Sequence, residues 1–240
     1  MLGGAVAGVL LRRTLPRHHL NEHAKDVVRL GGALIATMSA LVLGLLITSA
    51  KSSYESQRDE VRQITAKLVL LDNHLVRYGP EARRARELER QAVDGLIDRI
   101  WGERAVQSAA GAPYRPSTDA LLVYAAIDAL APQNDNQRTY KAQALQAIVD
   151  VTQARVLLSE QSDFGLPRTL LAVLVFWMTI LFTSFTLFSP INPTVGVALA
   201  IIALSASGAI FLILEMNAPF SGLMQISSAP LRNALGVLPQ

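Results

Sequence analysis

Side chains able to do chemistry are sparse in this sequence and gather at three places. Thr179, Thr183 and Thr186 recur at steps of four and three inside an apolar run, so on a helix their hydroxyls form one stripe. Such a stripe can line a water path, or it can bond back to its own helix or across to a neighbour. Glu215 abuts another apolar run, and the segment from it through Asn217, Pro219 and Phe220 to Gly222 makes a polar turn at the membrane edge. A carboxylate at such depth costs free energy and is usually paired or functional; alternatively it is hydrated and merely ends the helix. His19 and His23, at i and i+4 with Glu22 and Asp26 adjacent, have the spacing to face one metal. Juxtamembrane histidines also simply sit among headgroups and water, and no metal is assigned. There is no phosphate loop, HExxH, GxSxG or pair of carboxylates inside an apolar run, so neither catalytic residues nor a cofactor are expected.

The elements that must carry these groups are set by composition. The chain has 240 residues, 51% of them hydrophobic and 17% charged, and a mean hydropathy of +0.32, too apolar for an ordinary soluble domain. Cysteine is absent, which excludes disulfides and thiolate chemistry. The pI near 9.4 does not point to nucleic acid. Residues 51–167 hold 15 Lys and Arg against 16 Asp and Glu, and the positive excess lies at the membrane edges, where topology signals sit.

Leu30 to Ala50 is an uncharged run of 21 residues, long enough to cross about 30 Å of hydrocarbon. Gly32, Ala36, Ala40 and Gly44 recur in it every fourth residue, a small-residue face suited to close helix packing. No Gly or Pro follows until Gly79, while Tyr54, Val61, Ile64, Leu68, Leu71 and Leu75 keep a helical stripe; one helix is expected to leave the bilayer and continue as a stalk. Thr169 to Phe188 and Thr194 to Leu214 are two further spans. Leu2 to Leu11 is too short to cross alone. It reads as the end of a first membrane helix that begins upstream, since the basic residues follow the apolar run instead of preceding it as in a signal peptide. Arg12 to Arg29 then forms a basic hairpin.

Between the second and third spans the pattern predicts a helical bundle. Gly79-Pro80 ends the stalk, and Glu81 to Trp101 is a helix with Ala85, Leu88, Ala92, Leu96 and Ile100 on one stripe. Its cluster of Arg83, Arg84, Arg86, Arg90, Glu81, Glu87 and Glu89 reads as a solvated face. After a flexible link over Gly102 to Pro116, a third helix runs from Ser117 to about Leu130, and a fourth from Asn134 or Asp135 to about Ser162. The expected fold is all-α and integral to the membrane, two plus two transmembrane helices with an inserted extramembranous bundle. Its segments are residues 1–50, 51–167, 168–214 and a juxtamembrane tail over 215–240.

This layout, with Glu215, Pro219, Phe220 and Gly222 after the last span, resembles bacterial membrane proteins that carry a bestrophin-like domain of unknown function. Leu15 to Asp26, Ser49 to Tyr54, Arg77 to Glu81 and Gln225 to Leu235 are also similar to that group. It resembles in turn the true bestrophins, pentameric calcium-regulated anion channels with a Pro-Phe-Gly turn followed by acidic residues. Here Leu223, Met224 and Gln225 stand where those acids would be, so calcium regulation does not carry over.

Two functions fit these observations: a homo-oligomeric ion pore in a bacterial inner membrane, and a non-conducting membrane scaffold or sensor whose helical domain binds a partner. Lipid is a partner in both, an ion is a substrate only in the first, and nucleic acid is expected in neither. For topology, Arg12, Arg13, Arg17, Lys25 and Arg29 in a short connection favour a cytoplasmic hairpin, which makes residues 51–167 extracytoplasmic; the bestrophin resemblance implies the reverse. Single cysteines at Ser53 and Ser228 in this cysteine-free chain should both react with a membrane-impermeant thiol reagent on intact cells. Protection of both until lysis would reverse the orientation, and reaction of one alone would mean a wrong helix count.

Overall fold

The structure, a computed structural model, describes residues 3–4, 8, 10, 22–102, 118–163, 168–188 and 192–237. Among them lie the helices α1 (Glu22–Tyr78), α2 (Arg83–Trp101), α3 (Thr118–Asp128), α4 (Asp135–Asp163), α5 (Arg168–Phe188), α6 (Pro193–Met216) and α7 (Ala229–Val237), and no strand. The chain divides into two compact units. An apolar unit comprises Met1–Ser52 and Leu166–Asn217, and a polar unit comprises Ser53–Gly165 and Ala218–Gln240.

Among the described residues, three helices are long and apolar enough to cross a membrane: α1, α5 and α6. Their surfaces follow from that solvent. Leu34, Leu41 and Leu204 are all more than 60% exposed, as side chains facing hydrocarbon can be without penalty. The helices meet through a small cluster of Leu46, Ala50, Leu174 and Ile213, edged by Leu43, Leu170, Met178 and Ile210. Of the expected first membrane helix, Gly3, Gly4, Gly8 and Leu10 are described and are helical.

The helix α1 starts at Glu22, inside the stretch expected to be a hairpin. Glu22 and Asp26 occupy its opening turns, where carboxylates favour the exposed backbone N–H groups, so the helix begins before the apolar run does. It then continues unbroken to Tyr78, as the absence of Gly and Pro after Lys51 predicts. Gly79 terminates it at φ 125°, a conformation that strains any L side chain, and Pro80 opens the 3-10 turn Pro80–Ala82. The side-chain amide of Gln137 on α4 donates to the Tyr78 carbonyl at 3.0 Å, satisfying one orphan acceptor at that helix end.

The polar unit buries the predicted stripe of α1 in two apolar clusters. One gathers Val61, Ile64 and Leu68 with Val93, Leu96, Ile97, Val151 and Leu158; the other gathers Leu71 and Leu75 with Ala85, Val123, Ile127, Ala144 and Ile148. Ion pairs and caps tie the helices at the periphery. Arg99 on α2 reaches Asp119 on α3 at 2.8 Å, and Lys141 on α4 donates to the Asp128 and Leu130 carbonyls at the end of α3. The C-terminal residues expected as a separate tail belong here too: Ile226 and Leu231 complete the first cluster. Alternating apolar and small residues after Pro219 leave few charges to solvate, and burial of Leu231 is what a short helix such as α7 needs to be stable.

Candidate functional site

The threonine stripe on α5 is a packing surface. Thr179 bonds back to the Val175 carbonyl at 2.7 Å, and Thr186 to the Phe182 carbonyl at 2.9 Å. The Thr183 hydroxyl lies 2.8 Å from the Thr179 carbonyl and 3.0 Å from the Gly4 carbonyl, so its single proton is shared between its own helix and the N-terminal segment. Gly4 and Gly8, one helical turn apart and both buried, lie on this stripe. A Cβ on Gly4 would stand 2.7 Å from the Thr179 carbonyl oxygen, and one on Gly8 would collide with the Thr186 hydroxyl. The approach therefore requires glycine at both positions, the small-xxx-small geometry of close membrane helices.

The small-residue face of α1 behaves differently. Gly32 is half-buried, with Leu181 at 3.8 Å from a notional Cβ, but Ala36, Ala40 and Gly44 are exposed and Gly44 has nothing within 4 Å. The contact line within the chain runs instead through Gly32, Ser39 and Leu46. Helix geometry explains the divergence. A step of four turns through 400°, so Gly44 has drifted about 120° from Gly32, whereas a step of seven drifts only about 20°.

The turn after α6 is firmly built. Asn217 closes the helix by donating to the Ile213 carbonyl at 3.2 Å, and Glu215 is half-buried in its last turn. Farther on, Pro219 is buried, its carbonyl accepts the Ile226 N–H at 2.6 Å, and Gly222 takes φ 88° between them. Phe220 sits edge-on to Trp101 at the end of α2, with ring centroids 5.6 Å apart, and the Trp101 indole donates to the Ile226 carbonyl at 2.6 Å. Of the proposed metal-facing pair, His19 falls outside the described residues, as does the side chain of His23; among the described residues no three His, Asp or Glu side chains converge as a metal site would need.

The family model of the Bestrophin-like domain matches residues 1–231. The chain belongs to the bestrophin-like domain family. No curated protein and no solved structure matches it.

This bestrophin-like chain also holds a polar layer that the charge pattern of α2 conceals. Arg86 grips Asp72 of α1 with two hydrogen bonds, Nε to Oδ1 at 2.7 Å and Nη2 to Oδ2 at 3.4 Å, and Asp72 is buried. One turn on, Glu89 is only 2% exposed, and its Oε2 has no hydrogen-bond partner. It lines a cavity of about 20 Å³, room for about one water, together with Leu68, Val93, Val123, Ile148 and Arg155. Burial foremost, then the nearby Asp72 charge, push the Glu89 carboxyl up to about 9 against the opposing pull of Arg86. Glu89 is therefore a neutral acid at pH 7. It was legible in principle: Glu89 stands one helical step of four beyond Ala85 and four before Val93, on the buried stripe rather than beside it.

Two outcomes follow. Gly8→Leu should lower the thermal midpoint read by Trp177 fluorescence, by an amount equivalent to about 1–3 kcal/mol, because the added side chain has no space against Thr186. Gly3→Leu, where nothing lies within 4 Å, should leave it unchanged, and equal midpoints would discard the contact. For Glu89, the folded state holds the proton to about 9 while the unfolded chain releases it near its ordinary 4.5. Stability is thus full below about 4.5 and falls as pH rises toward 9, by at most roughly 1.4 kcal/mol per pH unit. Glu89→Gln should flatten this slope when unfolding of the polar unit is followed by Trp101 fluorescence in a Trp177→Phe background; an unchanged slope would show that Glu89 is not the group responsible.

Proposed function

We propose that this chain is the subunit of a homo-oligomeric membrane pore for small ions, built as two plus two membrane helices with an extramembranous bundle, and that it catalyses no reaction. The observation that carries the reading is the open face of Ala36, Ala40 and Gly44 on α1. In lipid a face of small side chains gains little from the bilayer and much from a second backbone at close range, and membership of the bestrophin-like family supports assembly around an axis. The threonine stripe is not part of this path, because Gly4 and Gly8 cover it. An ion route would instead run along the axis between copies, past α1.

A second reading is favoured by one specific observation: Thr37 and Thr48, two exposed hydroxyls on α1, are both turned back onto their own helix at 2.8 and 2.9 Å, so neither is turned toward a permeating ion. On it, the protein is a non-conducting scaffold or sensor whose helical bundle carries the partner site. The experiment that separates the two is the oligomeric state in lipid nanodiscs, with a structure of the central axis and ion flux in proteoliposomes. Ala36→Leu and Ala40→Leu should dissociate the assembly and abolish flux, while Leu34→Phe and Leu41→Phe, on other lipid-facing positions, should do neither. A monomer without a cavity would end the pore reading; an intact oligomer without flux would favour the scaffold.

A further inference from the structure

We infer that the cavity beside Glu89, where α1, α2, α3 and α4 meet in the polar unit, is a binding site for a single internal water molecule, hydrogen-bonded to the Glu89 carboxyl. Each of the four helices contributes to the wall: Leu68 from α1, Glu89 and Val93 from α2, Val123 from α3, and Ile148 and Arg155 from α4. All of these residues lie in one compact unit, so the site is complete within it.

Two tendencies compete in such a space. Cavities walled by leucine, valine and isoleucine stay dry when nothing polar faces them. A carboxyl oxygen left dry forfeits the hydrogen bonds it has in water, and that loss outweighs the entropy that one immobilised water gives up. Glu89 decides between them. It is 2% exposed, its Oε2 finds no hydrogen-bond partner among the described residues, and Arg86, one turn back on α2, is engaged by Asp72.

Size and charge then select the occupant. The cavity measures about 20 Å³, above the roughly 10–15 Å³ that one water requires and far below the volume of an organic ligand site. Burial and the Asp72 charge keep Glu89 protonated at pH 7, so it offers no charge to a cation, and Asp72 disfavours an anion in the same place. A neutral carboxyl carries both a donor and an acceptor, which a water can use in either sense. Arg155, the other polar residue of the wall, adds guanidinium N–H groups. Two polar residues supply the two bonds that an ordered internal water needs as a minimum. Such a water satisfies the acid without giving it a counter-charge.

The test uses the full chain in proteoliposomes at pH 7, labelled with carbon-13 glutamate, and solid-state NMR that transfers polarisation from water protons to carboxyl carbons. The carboxyl signal missing from Glu89→Gln identifies Glu89. Transfer to it should be within a few-fold of that to Glu87, whose side chain is 54% exposed. Val123→Ile, which adds a methyl group to the wall, should reduce the transfer to Glu89 several-fold and leave Glu87 unchanged. Transfer to Glu89 many-fold slower than to Glu87 in the unsubstituted chain would mean a dry cavity and would overturn the inference. Fast transfer that Val123→Ile leaves unchanged would mean that water reaches Glu89 by another route, and would overturn it as well. Should Val123→Ile fail to fold, Ala92→Val fills the same cavity from α2 and is read in the same way.

Discussion

The continuity of α1, one helix that belongs first to the apolar and then to the polar unit, governs this structure. Hydrocarbon offers no partner for N–H or C=O groups, so the chain inside it must be helical, and α1 obeys that rule while showing apolar side chains all around. Among the polar helices the same helix buries a stripe instead, and from Val61 to Leu75 its apolar residues fall at steps of three and four. Both demands are met without a break, and neither Gly nor Pro occurs between Lys51 and Tyr78, where the helix changes from one demand to the other. The rest of each unit is arranged around the part of α1 it contains: α5 and α6 supply Leu174 and Ile213 beside Leu46, and α2, α3 and α4 close over Leu68, Leu71 and Leu75.

The same division of solvents decides how polar groups are tolerated. Hydroxyls in the apolar unit are mostly returned to their own helices, as Thr37, Thr48, Thr179 and Ser205 are, which removes them from lipid without any tertiary partner. In the polar unit a different solution holds the buried layer. Asp72 accepts a two-pronged bond from Arg86, and Glu89 beside it avoids charge by holding its proton. An ionised Glu89 without a hydrogen-bond partner would bury a charge among the apolar clusters, a far larger cost than a neutral carboxyl facing a small cavity.

What the sequence discloses follows from how local the cause is. The end of α1 at Gly79-Pro80, the Asn134 side chain bonding Gln137 N–H at the start of α4, and the spans α5 and α6 all rest on neighbours in sequence, and all are found within a residue or two of their expected limits. Faces are harder, because they depend on which partner arrives. The threonine stripe is a real periodicity whose meaning changes once Gly4 and Gly8 lie on it, from residues about 175 positions away. The four-residue repeat from Gly32 to Gly44 is equally real, yet packing within the chain selects the seven-residue repeat Gly32, Ser39, Leu46 and leaves the other free. Glu89 is hidden by its company: flanked by Arg86, Glu87 and Arg90, it counts as surface in any reading by composition and as core in a reading by angle.

The exposed small-residue face of α1 bears on how membrane helices attract one another. Membrane helices gain no hydrophobic energy by leaving lipid for each other, so contacts between them come from close packing and from polar bonds. Within the apolar unit both devices are present where the N-terminal segment meets α5: glycine against threonine backbone, with the Thr183 proton shared across. Ala36, Ala40 and Gly44 on α1 stay exposed among the described residues, and contact with lipid acyl chains alone would forgo the backbone approach that their small size permits. Among the described residues the chain therefore completes one small-residue contact, at Gly4 and Gly8 against α5, and leaves a second small-residue face, at Ala36, Ala40 and Gly44, exposed.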